Sequence, residues 1–203
     1  MKVIGKPRRR VDGRAKVTGQ TRFADDLAFP RMLHCKLLRS RHPHARLRRV
    51  DVSRALAAPG VKAVPTGNDF PFRYGFLPVG QPLCREKVRM VADPIAAVIA
   101  RTEDQGWAAT ELIDVDYEVL PTIADPIEAL STPGPRIHDY GDHGNVHKAV
   151  ALEFGDVDAA LAGAGRVFED LFFYQGNTHL PIEQHAGGKA AADFASGVMS
   201  CRA

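Results

Sequence analysis

Hydrophobic positions fall into short runs separated by proline and glycine, and two spacings alternate between them. In residues 32–38, Leu33, Cys35 and Leu37 recur at every second position, the pattern of a half-buried strand. Residues 61–64 and 87–91 read as further short strands. The run Ile95-Ala96-Ala97-Val98-Ile99-Ala100, opened by Pro94, is apolar throughout, as in a strand covered on both faces. Residues 114–120 alternate again, with Val115, Tyr117 and Val119 on one side. Helix signals lie between these runs. Ser53 is placed to cap a short helix over 54–58 that Pro59-Gly60 ends. Thr102 and Gln105 form a capping box before a helix whose apolar face carries Trp107, Leu112 and Ile113. Gly106 costs that helix about 1 kcal/mol relative to alanine. Asp125-Pro126-Ile127-Glu128 is a second capping box, with proline at the first helical position. Thr66-Gly67-Asn68-Asp69 reads as a turn, and residues 70–84, rich in proline and glycine, as an ordered loop.

The flanks are different. Residues 1–20 are polar, glycine-punctuated and aperiodic, and read as an arm. Residues 131–147 read as a linker. Beyond them Asp156 caps a helix over 157–164 that Gly165 ends. Residues 167–175 then predict a long strand, with Phe168, Phe172 and Tyr174 on one face and Val167, Leu171 and Phe173 on the other. This mixture predicts an α+β domain over 21–130, a linker over 131–147, and a second unit over 148–203 that is only begun.

Composition narrows the class. The 203 residues are 45% hydrophobic and 25% charged, ordinary for a globular chain, and no apolar run approaches the length of a membrane span. Cys35, Cys84 and Cys201 are odd in number and widely spaced, which suits neither a disulfide scaffold nor a zinc ribbon. Arg8-Arg9-Arg10 precedes a polar stretch, so it predicts no twin-arginine export signal, and the expected location is the cytoplasm. The net charge of +3 hides an asymmetry: residues 1–54 hold 16 Lys/Arg against 4 Asp, and residues 55–203 hold 11 against 20 acids. A basic half invites a nucleic-acid reading, but only Phe23 and Phe29 supply aromatics there. The plainer reading is a solvated face, or a surface that meets an acidic partner or the chain's own acidic half; no nucleic-acid or membrane partner is expected.

Several constellations carry chemistry-bearing side chains. His42-Pro43-His44, with His34 and Cys35, resembles a metal pair, but no glutamate occurs before Glu86 to complete it. His143 and His147 have helical spacing, but Gly144 between them opposes a helix, and with His138 they predict no metal site. His179, Glu183, Gln184 and His185 could exchange protons or hold a ligand, or equally fix a strand end as a buried polar network. No GxGxxG, GxxxxGK[ST] or GxSxG motif occurs, so no catalytic, cofactor or metal residue is assigned.

In order, the segments resemble the N-terminal part of the molybdenum-binding large subunit of the xanthine dehydrogenase/aldehyde oxidase family. Four blocks carry the resemblance. The first is Asp12-Gly13-Arg14-Ala15-Lys16-Val17-Thr18-Gly19 ahead of Phe23-Ala24-Asp25-Asp26. The second is Leu38-Arg39-Ser40-Arg41-His42-Pro43-His44-Ala45-Arg46 with Val50-Asp51-Val52-Ser53 and Pro59-Gly60-Val61. The third comprises Lys87-Val88-Arg89, Ala96-Ala97-Val98-Ile99-Ala100 and Val115-Asp116-Tyr117-Glu118-Val119-Leu120-Pro121. The fourth runs from Phe154-Gly155-Asp156-Val157 through His179, Glu183 and His185. Tyr74-Gly75-Phe76-Leu77-Pro78-Val79 looks most like the 4-hydroxybenzoyl-CoA reductase branch.

The resemblance implies an α/β hammerhead domain followed by the start of a molybdopterin-binding domain. It implies molybdopterin in the full-length subunit, and as partners the remainder of that subunit with iron-sulfur and FAD subunits. The family's glycine-rich cofactor loops, its glutamine near the oxo ligand and its base glutamate have no counterpart here. The chain alone is therefore expected to be inactive, whether truncated, frameshifted or naturally short; a free-standing hammerhead module pairing with a separate cofactor chain is the alternative. Three departures stand out: Ala92 where the family usually has glycine, Gly106-Trp107 in a predicted helix, and Ala186-Gly187-Gly188-Lys189 interrupting an expected apolar strand.

Overall fold

The structure, a computed structural model, describes residues 4–73, 80–141, 143–178, 180, 186–190 and 198–202. Two compact units emerge, residues 1–119 with 181–203, and residues 120–180. The first contains helix α1 (Gly13–Val17), strands β1 (Leu33–Arg39) and β2 (Ala45–Asp51), helix α2 (Ser53–Leu56), strands β3 (Val61–Ala63), β4 (Lys87–Val88) and β5 (Pro94–Ala100), helix α3 (Glu103–Thr110) and strand β6 (Asp114–Val119). The second unit holds helices α4 (Pro126–Ser131) and α5 (Val157–Ala162). Strands β7 (Ala186–Ala190) and β8 (Val198–Arg202) return to the first. One sheet has the order β3-β5-β1-β8-β7 and the other β4-β2-β6. This is the α+β class the segment order predicts.

Strand β5 lies at the centre of the first unit. Ile95, Ala96, Val98 and Ala100 are fully buried. Val98 and Ala100 pack with Ala55, Val64 and Ala109, whereas Ala97 and Ile99 pack with Cys35, Leu83 and Leu37. Cover on both sides is what an unbroken apolar run requires. Its neighbour β1 pairs antiparallel, Cys35 with Ile99 and Leu37 with Ala97. Strand β1 is not half-buried as its alternation suggests. Lys36, on the face opposite Cys35, is buried under α3, where its ammonium pairs with Glu103 and lies 4.8 Å from the Trp107 ring centroid.

That packing explains both oddities of α3. A Cβ on Gly106 would sit 2.9 Å from Lys36 Cγ, so glycine allows the close approach of helix and strand. Trp107 is 53% exposed and covers the lysine instead of facing the core; the buried side of the helix is Gly106, Ala109 and Thr110. The Thr102 hydroxyl accepts from Gln105 N–H, as the cap predicts. At α2 the reading changes. Ser53 lies inside the helix and Asp51 Oδ1 accepts its N–H at 3.0 Å. The carboxylate two residues earlier therefore does the work assigned to the serine.

Strand β2 carries no clean sequence signal, because its register against β6 shifts between Leu47 and Arg49. That bulge moves the inward position from Leu47 to Val50, a spacing of three, and hides the alternation among arginines. Ala92 adopts φ +72°, the left-handed conformation in which glycine is preferred, so the departure noted in the sequence is a point of backbone strain. Its N–H donates to Ser40 O and its carbonyl accepts from Arg39 Nη1.

In the second unit the caps hold. Asp125 Oδ1 accepts from Ile127 and Glu128 N–H, and Asp156 Oδ1 accepts from Ala159 N–H. Gly163 occupies the C-cap of α5, two residues before the predicted Gly165. The predicted strand over 167–175 is not one. These residues have no ladder partner and their large side chains are exposed, because an apolar run becomes a strand only when a neighbour supplies hydrogen bonds. Conversely, residues 186–190, read as interrupting a strand, form β7 paired with β8.

Candidate functional site

A polar corner joins β1, β2, β5 and β6. Ser40 Oγ donates to His42 O and accepts from His42 N–H, which fixes the turn between β1 and β2. The His42 ring meets Tyr117 edge-on at 4.8 Å, and the Arg41 guanidinium lies 5.8 Å over the same ring. The Asp93 carboxylate accepts from Arg89 and Met90 N–H at the start of β5. Burial, assisted by the Asp93 charge, pushes the Cys84 thiol up to about 12. Burial also raises the Tyr117 phenol, against the opposing effect of Arg41. Both stay protonated near neutrality, so this corner presents neither a thiolate nucleophile nor a phenolate base. Beside it is a shallow cleft of about 250 Å³ lined by Arg39, Arg41, Thr110, Glu111 and Asp114 among others.

Part of the charge asymmetry is met within the second sheet. Arg46 and Arg48 of β2 pair with Glu118 of β6, and Arg49 Nη2 lies 2.8 Å from Asp114. Three arginines of the basic half thus meet carboxylates of the chain's own acidic half. These pairs are exposed and contribute at most about 1 kcal/mol each. In α1, hydrogen bonds from Lys16 and Arg10 lower Asp12 to about 2.

Among the described residues, the histidines of the first unit do not converge on one site. His34 lies on β1, and His42 and His44 precede β2. No group of three or more His, Cys, Asp or Glu that could hold a metal occurs among the described residues. His179, Glu183, Gln184 and His185 lie outside the described residues, as does the 74–79 segment. Residues 136–141 and 143–147 belong to a self-tied loop within the segment that the sequence reads as a linker. Arg136 donates to the carbonyls of Tyr140, Gly141 and Gly144, Asn145 Oδ1 accepts from Ile137 N–H, and Tyr140 hydrogen-bonds His147 Nδ1. A cavity of about 170 Å³ lies there, lined by both His138 and His147. Composition identifies the glycines of this loop; only the fold reveals the arginine that gathers them.

The cleft beside Tyr117 and the hollow adjoining it do not suit molybdopterin, an anionic, phosphate-bearing group. The cleft beside Tyr117 sets Glu111 and Asp114 against its arginines, and the adjoining hollow sets Asp51, Glu111 and Asp114 against Arg54. Carboxylates there offset the arginines that a phosphate would need. What the second unit does present is an uncovered apolar stretch: Val167, Phe168, Leu171, Phe172, Phe173 and Tyr174 are 61–91% exposed.

Comparison with known proteins places this geometry. Residues 18–121 match the family described as aldehyde oxidase and xanthine dehydrogenase, a/b hammerhead domain. The chain is 40% identical, over 91% of its length, to a probable xanthine dehydrogenase subunit of Bacillus subtilis (strain 168), and covers 25% of that protein. It is also 40% identical to the nicotinate dehydrogenase large molybdopterin subunit of Eubacterium barkeri, again over 91% of the chain, covering 44% of that protein. Among solved structures, the Cu,Mo-CO dehydrogenase superposes with a TM-score of 0.68 at 33% identity, over 80% of this chain and 23% of that one. The aldehyde oxidoreductase from Desulfovibrio gigas gives 0.58 at 32%, over 64% and 16%. The chain therefore spans a quarter to under a half of these curated relatives. No helix among the described residues is long and apolar enough to cross a membrane. A matched region covering β1 to β6, relatives that are molybdenum-enzyme large subunits, and the same fold in solved members lead to one conclusion: the chain belongs to the aldehyde oxidase and xanthine dehydrogenase family and carries its α/β hammerhead domain.

Proposed function

We propose that this chain serves as the hammerhead portion of a molybdopterin-binding large subunit in a molybdenum hydroxylase, and that it contributes packing surface, not reacting groups. Its partners on this reading are the remainder of the large subunit and, through it, iron-sulfur and FAD subunits, in the cytoplasm. The observation that carries the reading is the exposed stretch at 167–174. Burying each aromatic there is worth about 1.5–3 kcal/mol, so the stretch has a strong tendency to be covered. Residues 148–203 are on this reading the opening of the molybdopterin-binding domain, and its strands β7 and β8 return to the sheet of the first unit. Limited proteolysis should then cut within 131–147; preferential cleavage inside 94–120 would contradict that boundary.

The test is co-expression with the polypeptide that follows the matched portion in the Bacillus relative. Alone, the chain should be colourless, hold no molybdenum, turn over no aldehyde or purine, and bind hydrophobic dye. Together, the two should co-purify. Phe168→Ser with Phe172→Ser should abolish co-purification and leave the melting of the first unit unchanged. A monodisperse chain carrying stoichiometric molybdenum by itself would overturn the proposal.

A further inference from the structure

The cavity in the second unit is lined by Ile137, Val146, His138, Tyr140, Asn145 and His147 among others, and is partly open. Its walls are set before anything enters. Arg136 donates to the carbonyls of Tyr140, Gly141 and Gly144, and both glycines take positive φ, +68° and +60°, where the chain turns back on itself. The rings brace one another: His138 and Tyr140 have centroids 5.5 Å apart, and Tyr140 meets His147 edge-on at 5.4 Å. The Tyr140 hydroxyl is engaged by His147 Nδ1. Asn145 Oδ1 accepts from Ile137 N–H at 2.8 Å, and that bond decides which end of the amide is nitrogen. Nδ2 is then shielded from solvent and has no hydrogen-bond partner among the described residues. A buried donor left in this state calls for an acceptor. The described residues lining the cavity include no aspartate, glutamate, lysine or arginine, so no fixed charge there selects an ion. Size narrows the choice further. An apolar cavity of about 150 Å³ takes a benzene ring, and this one holds about 170 Å³, far more than one water fills. We propose that this cavity is a binding site for a small, neutral, single-ring ligand bearing a carbonyl oxygen, with Asn145 Nδ2 as donor to that oxygen and the rings of His138, Tyr140 and His147 as its apolar wall. Because Arg136 already holds the loop closed, little ordering opposes binding. The site lies within one loop and is independent of what covers residues 167–174.

The test uses the full chain and two probes. Acetophenone carries one acceptor and no donor, and toluene is the same ring without the carbonyl. Dissociation constants come from ligand-observed NMR. The unaltered chain should hold acetophenone about tenfold more tightly than toluene. Asn145→Asp keeps an oxygen to accept from Ile137 N–H and puts a second acceptor where the donor was. It should lose the preference for acetophenone and hold toluene as before. Phe168→Ser with Phe172→Ser should leave both constants unchanged, which separates this site from the exposed apolar stretch. No binding of either probe to the unaltered chain, or equal affinity for the two, would mean that the cavity holds water only or does not read the carbonyl, and overturns the proposal. A parallel loss of toluene in Asn145→Asp would assign Asn145 to closing the loop and overturn its role as donor. Loss of acetophenone in the phenylalanine variant would move the binding to residues 167–174 and overturn the site.

Discussion

Residues 94–110 and residues 156–174 are built from the same two ingredients, a side-chain-capped helix and an apolar run, and they end in opposite states. In the first, Ile95 and Val98 are fully buried and α3 packs across the strand. In the second, Asp156 caps α5 just as well, yet Phe168, Leu171 and Phe172 are more than 80% exposed. Capping is a local matter, satisfied by one carboxylate or hydroxyl and a few N–H groups. Burial depends on partners: β5 has β1 and β3 on its edges, and residues 167–174 have no strand beside them. Hydrophobicity is thus a demand for cover, and the sequence cannot state who provides it.

The largest effect expected from attacking this contrast is Val98→Asp. An unpaired carboxylate at a fully buried position costs several kcal/mol and should abolish the cooperative melt of the first unit. The Cys84 thiol, held protonated and inaccessible in the native fold, should then react with iodoacetamide at pH 8. An unchanged melting curve would mean β5 is not the centre of the fold. Next comes Gly67→Ala. Its Cβ would lie 2.4 Å from Cys84 O and 2.7 Å from Arg85 Cα, both backbone atoms that cannot rotate away. A loss of about 1–3 kcal/mol in urea unfolding is expected. Ala92→Gly should go the other way, gaining about 1 kcal/mol by relieving the left-handed strain; a loss in urea unfolding would refute the strain reading. Smallest is Asp125→Ala, which removes the cap of α4. Amides of Ile127 and Glu128 should exchange faster, by about 1 kcal/mol of local stability, with no shift in the melting of the first unit. A shift there would show that the two regions are energetically coupled.

Much of the fold is legible in particular residues. The apolar run 95–100 specifies a doubly covered strand, and Thr102, Asp125 and Asp156 specify three helix starts, since each depends on neighbours within a few positions. Strand β2 is not legible, because the extra residue at its bulge breaks the period that reveals strands. The role of Trp107 is not legible either, because a lysine 71 positions earlier turns a core candidate into a lid. Of the candidate histidines, His42 is placed against Tyr117 and the group at 138–147 closes a loop; neither outcome follows from spacing.

By itself, then, the sequence determined the α+β class, the N-caps at Thr102, Asp125 and Asp156 and, through four ordered blocks, the family. The tertiary structure alone decided that Lys36 would be buried, that Gly106 would be required beneath α3, that the basic β2 would be neutralised by the acidic β6, and that β8 would lie along β1. The division is physical. Propensity, caps and periodicity act over a few residues, whereas burial, ion pairing and strand registry join positions dozens to more than a hundred residues apart, and only the folded chain brings those together.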